Sequence, residues 1–179
     1  MAKLVSKTYG EALFDLAVEE GQLDVVEEEV RLLLATCDEN EDFIKLLNHP
    51  KITREEKVKV VETVFKDRLS QTMTGFLVLV VEKGRNDELE SILKYFLERV
   101  REYKNIGVAK VTSAVPLSEE QKKSVEQRLL ETTKYVSFEM DYAVDESLIG
   151  GLVIRIGDRV VDSSIRTRID RMAKTLMNS

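Results

Sequence analysis

Cysteine, histidine and proline are nearly absent from this 179-residue chain, which has one Cys, one His and two Pro. Each scarcity closes off a class of chemistry. Cys37 cannot form an internal disulfide, and its neighbours Ala35, Thr36 and Asp38 make no reactive-thiol motif, so it reads as an inert helix residue. His49 stands before Pro50 in a polar connection; as the lone histidine it leaves Ser-His-Asp, Cys-His and His-based metal arrangements without partners. Long apolar runs are missing too. The longest, Phe76 to Val81, falls far short of the roughly 20 residues that a membrane-crossing helix needs. The start of the chain has neither an apolar h-region nor an Arg/Ser-rich leader, so no signal or transit peptide is expected, and a cytosolic protein of bacterial type fits.

What is present is enough for a packed core. Hydrophobic residues make up 43% of the chain, which excludes disordered and collagen-like classes and allows one domain or two small ones. The net charge of −6 lies entirely in residues 1–105, with 16 basic and 22 acidic side chains, while residues 106–179 carry 11 of each. Residues 1–42 hold 3 basic against 12 acidic. Such a surface repels a nucleic-acid backbone and suits a partner with basic residues.

Helical spacing dominates up to Tyr103. A first helix from Val5 to Glu20 stops at Gly21, and a second from Gln22 to Thr36 sets Val26, Val30, Leu33 and Leu34 on one face. Glu41 to Leu47 gives a short third helix, ended by Asn48-His49-Pro50. Thr53 with Glu56 forms a capping box for a fourth, in which Val58, Val61, Val64 and Phe65 face inward. A fifth runs from Ser70 to Lys83 and ends at Gly84, the place of a left-handed cap, and a sixth spans Asp87 to Tyr103.

The period then changes. Val108 to Val115 reads as a strand stopped by Pro116, and Ser118 with Gln121 caps a helix reaching Thr133. Strict alternation from Val136 to Val144 marks a half-buried strand. Leu152 to Ile156 is expected as its antiparallel neighbour across the Asp145-to-Gly151 connection, followed by a short strand and a terminal helix from Ser164 to Met177 capped by Asp162-Ser163-Ser164. The expected class is therefore α+β: an N-terminal six-helix bundle, residues 1–105, followed by a small C-terminal α+β domain with a short sheet, residues 106–179.

No set of residues converges on catalysis. Gly151 and Gly157 flank a strand, but Asp158-Arg159 follows the second glycine where a phosphate loop needs Lys and Ser/Thr, so both read as turn residues. The run Glu27-Glu28-Glu29 diverges around a helix by about 100° per residue and reads as a solvated face. No metal or cofactor is expected. Arg166, Arg168, Arg171 and Lys174 give the last helix a basic character, which raises an RNA-associated alternative; interspersed Asp162 and Asp170, and the favourable placement of cations late in a helix, weigh against it.

Two helices carry more apolar surface than one core-facing stripe requires. Tyr9, Ala12, Leu13, Phe14, Leu16, Ala17 and Val18 exceed an arc of about 100° on the first, and Phe76 to Val81 covers every direction around the fifth. One explanation is a central helix wrapped by its neighbours. The other is a groove between helices one and five that accepts an amphipathic helix from another chain, lined by Tyr9, Ala12, Leu13, Leu16, Ala17, Phe76, Leu79 and Val80.

Three segments in order carry a resemblance. Asp145 to Arg168, with Leu148, Gly150, Gly151, Gly157, Asp162, Ser164 and Arg168, resembles the C-terminal signature of the delta subunit family of F-type ATP synthases, the counterpart of the mitochondrial oligomycin-sensitivity-conferring protein. Tyr9 to Ala17 is similar to that family's opening helix, with Gly10 in place of the usual alanine. Phe76-Leu77 through Glu82-Lys83-Gly84-Arg85 is similar to its fifth helix, with Lys83 for the usual asparagine. The resemblance implies a non-catalytic stator subunit that links the catalytic head to the peripheral stalk and resists rotor torque during proton-driven ATP synthesis. It further implies the N-terminal helix of an alpha subunit in the groove, b subunits on the C-terminal domain, one copy per complex, and a peripheral place on the cytoplasmic face of the membrane. The alternative is a helical adaptor of another cytosolic assembly.

Overall fold

A computed structural model describes residues 2–39, 41–49, 51–65 and 68–177, without side-chain detail at 2, 3, 38, 39, 41–44 and 177. The chain divides into two compact units, Met1–Val100 and Arg101–Ser179. The division falls just before the period switch. Arg101, although still helical, turns its guanidinium to Glu139, with Nε 2.7 Å from the carboxylate, and so belongs with the second unit.

Among the described residues, six α-helices precede the first strand: α1 (Ala2–Glu19), α2 (Leu23–Glu39), α3 (Glu41–Asn48), α4 (Arg54–Phe65), α5 (Gln71–Glu82) and α6 (Leu89–Tyr103), with a 3₁₀ turn at Asn86–Glu88 before the last. Their ends follow from capping chemistry. Thr53 and Glu56 exchange hydrogen bonds at the start of α4, Ser70 Oγ accepts from the Met73 amide at 3.2 Å at the start of α5, and Gly21 and Gly84 both take φ +65° after α1 and α5. Pro50, expected to stop α3, lies outside the described residues.

One hydrophobic core draws on all six helices, with Leu13 and Phe14 of α1, Val26, Val30 and Leu33 of α2, Leu47 of α3, Val61 and Phe65 of α4, Met73 and Val80 of α5, and Ile92, Leu93 and Phe96 of α6. Val64 departs from expectation. It is exposed, because α4 turns Lys57, Val61 and Phe65 inward instead; the aliphatic stem of a lysine can serve in apolar packing.

The second unit holds a four-stranded sheet of β1 (Ile106–Ser113), β2 (Ser137–Val144), β3 (Leu152–Ile156) and β4 (Arg159–Asp162), with α7 (Glu119–Thr132) between β1 and β2 and α8 (Ile165–Met177) at the end. The strand order is β2-β1-β3-β4. This corrects the expected β2–β3 hairpin: β1 lies between them, parallel to β2 from Ile106↔Ser137 to Ser113↔Val144 and antiparallel to β3 from Ala109↔Ile156 to Ser113↔Leu152. Parallel pairing needs a crossover, and α7 supplies it. Ala109, Leu129 of α7 and Phe138 form the small core, with Val125, Met140, Ile154 and Ile156 against it. Gly107 makes room for the Phe138 ring, whose Cε1 would lie 2.4 Å from an added Cβ.

Candidate functional site

The groove is built by what α1 and α5 leave outside the core. On α1, Leu13, Phe14 and Ala17 point inward, while Ala12 and Leu16 stay exposed and Tyr9 is half-buried. On α5, Met73, Phe76, Leu77, Val80 and Val81 are buried; Gly75 and Leu79 are not. Between the helices runs an open depression of about 1000 Å³, lined by Tyr9, Ala12, Leu13 and Leu16 from one and Gly75, Phe76 and Leu79 from the other, with Glu20, Ser70 and Thr72 at one end. Leu16 is 39% exposed and Leu79 42%. Six of the eight residues named from the sequence therefore meet in one place. Ala17 and Val80 do not: both are fully buried in the core, and they back the walls without reaching the groove.

Polar side chains brace these walls. Thr72 Oγ1 donates to the Glu20 carboxylate at 2.6 Å, tying the start of α5 to the end of α1. The Glu29 carboxylate of α2 accepts from both the amide and the hydroxyl of Ser70, at 2.5 and 2.7 Å. A charged acceptor with two donors is among the stronger hydrogen-bonding arrangements. At the other side of α1, Gly10 admits α6: an added Cβ would lie 2.5 Å from Tyr95 Cδ1, and the Tyr95 hydroxyl donates to Glu11 at 3.0 Å. Lost helix propensity at Gly10 is thus exchanged for a close interhelical contact.

The stretch from Leu148 to Arg168 is chiefly architecture. Gly151 takes φ +80° and faces the Ser163 carbonyl, Gly150 faces Ile165, and Gly157 takes φ +55° in the turn between β3 and β4. Leu148 closes a 3₁₀ turn at Glu146–Leu148. Ser164 is buried and caps α8, its Oγ accepting from the Thr167 amide at 3.2 Å, and the Arg168 amide bonds back to the Ser164 carbonyl. Asp162 completes the cap. Donation from the Ser164 amide, then from the Thr167 hydroxyl, holds its carboxyl below the usual carboxylate range. A depressed folded value adds stability that is fully present above the unfolded value near pH 4 and is lost as pH falls through the folded one. Thermal unfolding followed between about pH 2 and pH 7 should accordingly show a shallower acid loss in Asp162→Asn than in the parent chain.

Among the described residues no group of three His, Cys, Asp or Glu is placed to hold a metal ion. His49 is exposed, its Nδ1 accepting from the Lys51 amide at 3.2 Å, and Cys37 is buried. No helix of the described residues is long and apolar enough to cross a membrane.

A model of the ATP synthase delta (OSCP) subunit family matches residues 5–176. The chain belongs to that family. It is 60% identical over 176 residues to the ATP synthase subunit delta of Lachnoclostridium phytofermentans, covering 98% of this chain and 97% of that one. The subunit delta of Brevibacillus brevis is 32% identical over 174 residues, covering 97% and 99%. In fold the chain is similar to one in the cryo-EM structure of the Toxoplasma gondii mitochondrial ATP synthase hexamer, with a TM-score of 0.72, 21% identity and 96% and 97% of the two chains covered. As a delta (OSCP) family member it is a structural, non-catalytic subunit of the ATP synthase, with the stator role of its family.

Sequence reasoning missed one surface of this delta-family chain. Ile165, Ile169, Met172 and Leu176 recur every three or four residues along α8, and all are exposed, Met172 at 66% and Leu176 at 78%. The cations Arg166, Arg168, Arg171 and Lys174 lie between these apolar positions on the same helix. The apolar spacing was legible throughout.

Proposed function

We propose that the groove between α1 and α5 receives the amphipathic N-terminal helix of an ATP synthase alpha subunit, and that the exposed stripe on α8 contributes to a surface for the b subunits. In this reading residues 1–105 act as a six-helix bundle on the catalytic head and residues 106–179 as the peripheral-stalk contact. One copy per complex, at the cytoplasmic face of the membrane, ties the two together. Two linked contacts suit a stator, because rupture of one leaves its partner at high effective concentration.

The observation that carries the reading is the pair Leu16 and Leu79, apolar side chains left solvent-exposed on facing walls of one groove in a chain of this family. Nanomolar binding corresponds to about 12 kcal/mol, beyond what exposed ion pairs supply, so burial of such side chains must dominate. Co-migration of the full chain with the cognate ATP synthase head on size exclusion tests it; failure to co-migrate counts against the head contact.

For the α8 stripe, Met172→Asp should weaken capture by a soluble cognate b-subunit fragment by at least about tenfold, since it sets a carboxylate into an apolar contact. Surface plasmon resonance reads this directly. Undiminished capture would remove α8 from the b-subunit surface while leaving the groove assignment untouched.

A further inference from the structure

Gly75 weakens α5 for no reason that the chain itself supplies. It is an interior helix residue with ordinary right-handed backbone, where only proline is less favourable. Packing does not ask for it either, because an added Cβ would meet no atom within 4 Å. Gly10, Gly107 and Gly151 all differ in this respect, each having a neighbour that a side chain would strike.

Its position gives the missing reason. Gly75 lines the α1/α5 groove and also a depression of about 740 Å³ on the side of α4, bounded by Glu62, Thr63, Gln71, Thr74 and Val78. It is thus the low point of the ridge between two hollows. The α1 wall of the same groove also carries a small, exposed residue, Ala12, and Leu16 and Leu79 are exposed on its two walls.

We infer that Gly75 is a specificity-determining residue, the point where the backbone of the bound helix comes close against α5. The inference rests on the groove reading above and deepens it. Tyr9 to Glu20 spans three turns, roughly 16 Å at 1.5 Å per residue, so the occupant is an amphipathic helix of about that length. Glu20 is the one charged residue among the described groove-lining residues, and residues 1–42 are strongly acidic, so the occupant presents a basic residue at that end. At the crossing itself it carries a small residue, since two backbones approach only where side chains are short on both sides.

Full-length Gly75→Ala and Gly75→Leu, with Leu16→Asp beside them, would be titrated calorimetrically with a synthetic peptide of the cognate alpha-subunit N-terminus. Both Gly75 variants should melt higher than the parent, Gly75→Ala by about 4–8 °C for a unit of this size. Both should nevertheless bind more weakly, Gly75→Leu by on the order of tenfold or more. Misfolding cannot produce that pairing of gained stability with lost affinity. If Leu16→Asp abolishes binding while Gly75→Leu binds like the parent, the close approach is overturned and the groove reading stands. If Leu16→Asp binds like the parent, the groove reading falls and the Gly75 inference with it.

Discussion

Leu16→Asp and Leu79→Asp should each lose measurable binding of an alpha-subunit N-terminal peptide in titration calorimetry while keeping the parent's circular dichroism. The two side chains are 39% and 42% exposed and lie outside the fully buried set, so the core does not depend on them. In a complex they would be covered. An ionised carboxylate there loses its water without gaining a partner, at an expected cost of about 3 kcal/mol or more, which is a factor of over a hundred in affinity. The cost to folding is smaller but not zero. Residue 16 lies in the last turn of α1 and residue 79 in that of α5, where an acid opposes the helix macrodipole by up to about 1 kcal/mol. Leu16→Lys serves as the companion, since it strips the same apolar surface while suiting the helix end. Unchanged affinity in both Asp variants would overturn the groove assignment.

Gly151→Ala is expected to cost the second unit about 3 kcal/mol or more. Two effects combine. Its φ of +80° is one that L side chains rarely adopt, and a Cβ there would stand 2.4 Å from the Ser163 carbonyl oxygen and 3.0 Å from Ser164 Cα. Both atoms are backbone, and neither can yield cheaply: Ser163 donates its amide to the Leu152 carbonyl at 2.9 Å, and the Ile165 amide donates to the Gly150 carbonyl at 2.9 Å. These bonds fasten the start of α8 to the start of β3. Gly157→Ala supplies the contrast, because its φ is +55° but open space surrounds it, leaving only the conformational cost of about 1–2 kcal/mol. Differential scanning calorimetry should resolve a low-temperature transition in Gly151→Ala, well below any shift in Gly157→Ala. Equal transitions in the two variants would show that the clash with Ser163 is relieved.

Local features were legible in the sequence, and pairings were not. Thr53 with Glu56, Ser118 with Gln121 and the two glycines at 21 and 84 all end helices as their chemistry dictates, because a cap involves residues within a turn of each other. The sheet order escaped because alternation tells which residues share a face and nothing about which strand lies alongside. Adjacent segments suggested a hairpin, and β1, which starts 31 positions before β2, took the place between them. Excess apolar surface pointed to the depression between α1 and α5, yet Ala17 and Val80 lie in the core beside it, because a residue list around a helix does not show which side its neighbours cover. Nor could sequence couple Glu29 to Ser70 or Glu20 to Thr72, which are 41 and 52 residues apart.

The inserted position of β1 bears on how load passes through the chain. The first unit is joined to the second through α6, and β1 begins three residues after that helix ends, so a pull along the backbone reaches the sheet of the second unit at the first residue of β1. That strand is hydrogen-bonded to β2 along its whole length and to β3 along five residues. Drawn along its own axis, it would have to shear both ladders together, whereas an edge strand peeled sideways yields one bond at a time. A subunit that holds against rotation thus has its chain-borne force delivered to the middle of its sheet.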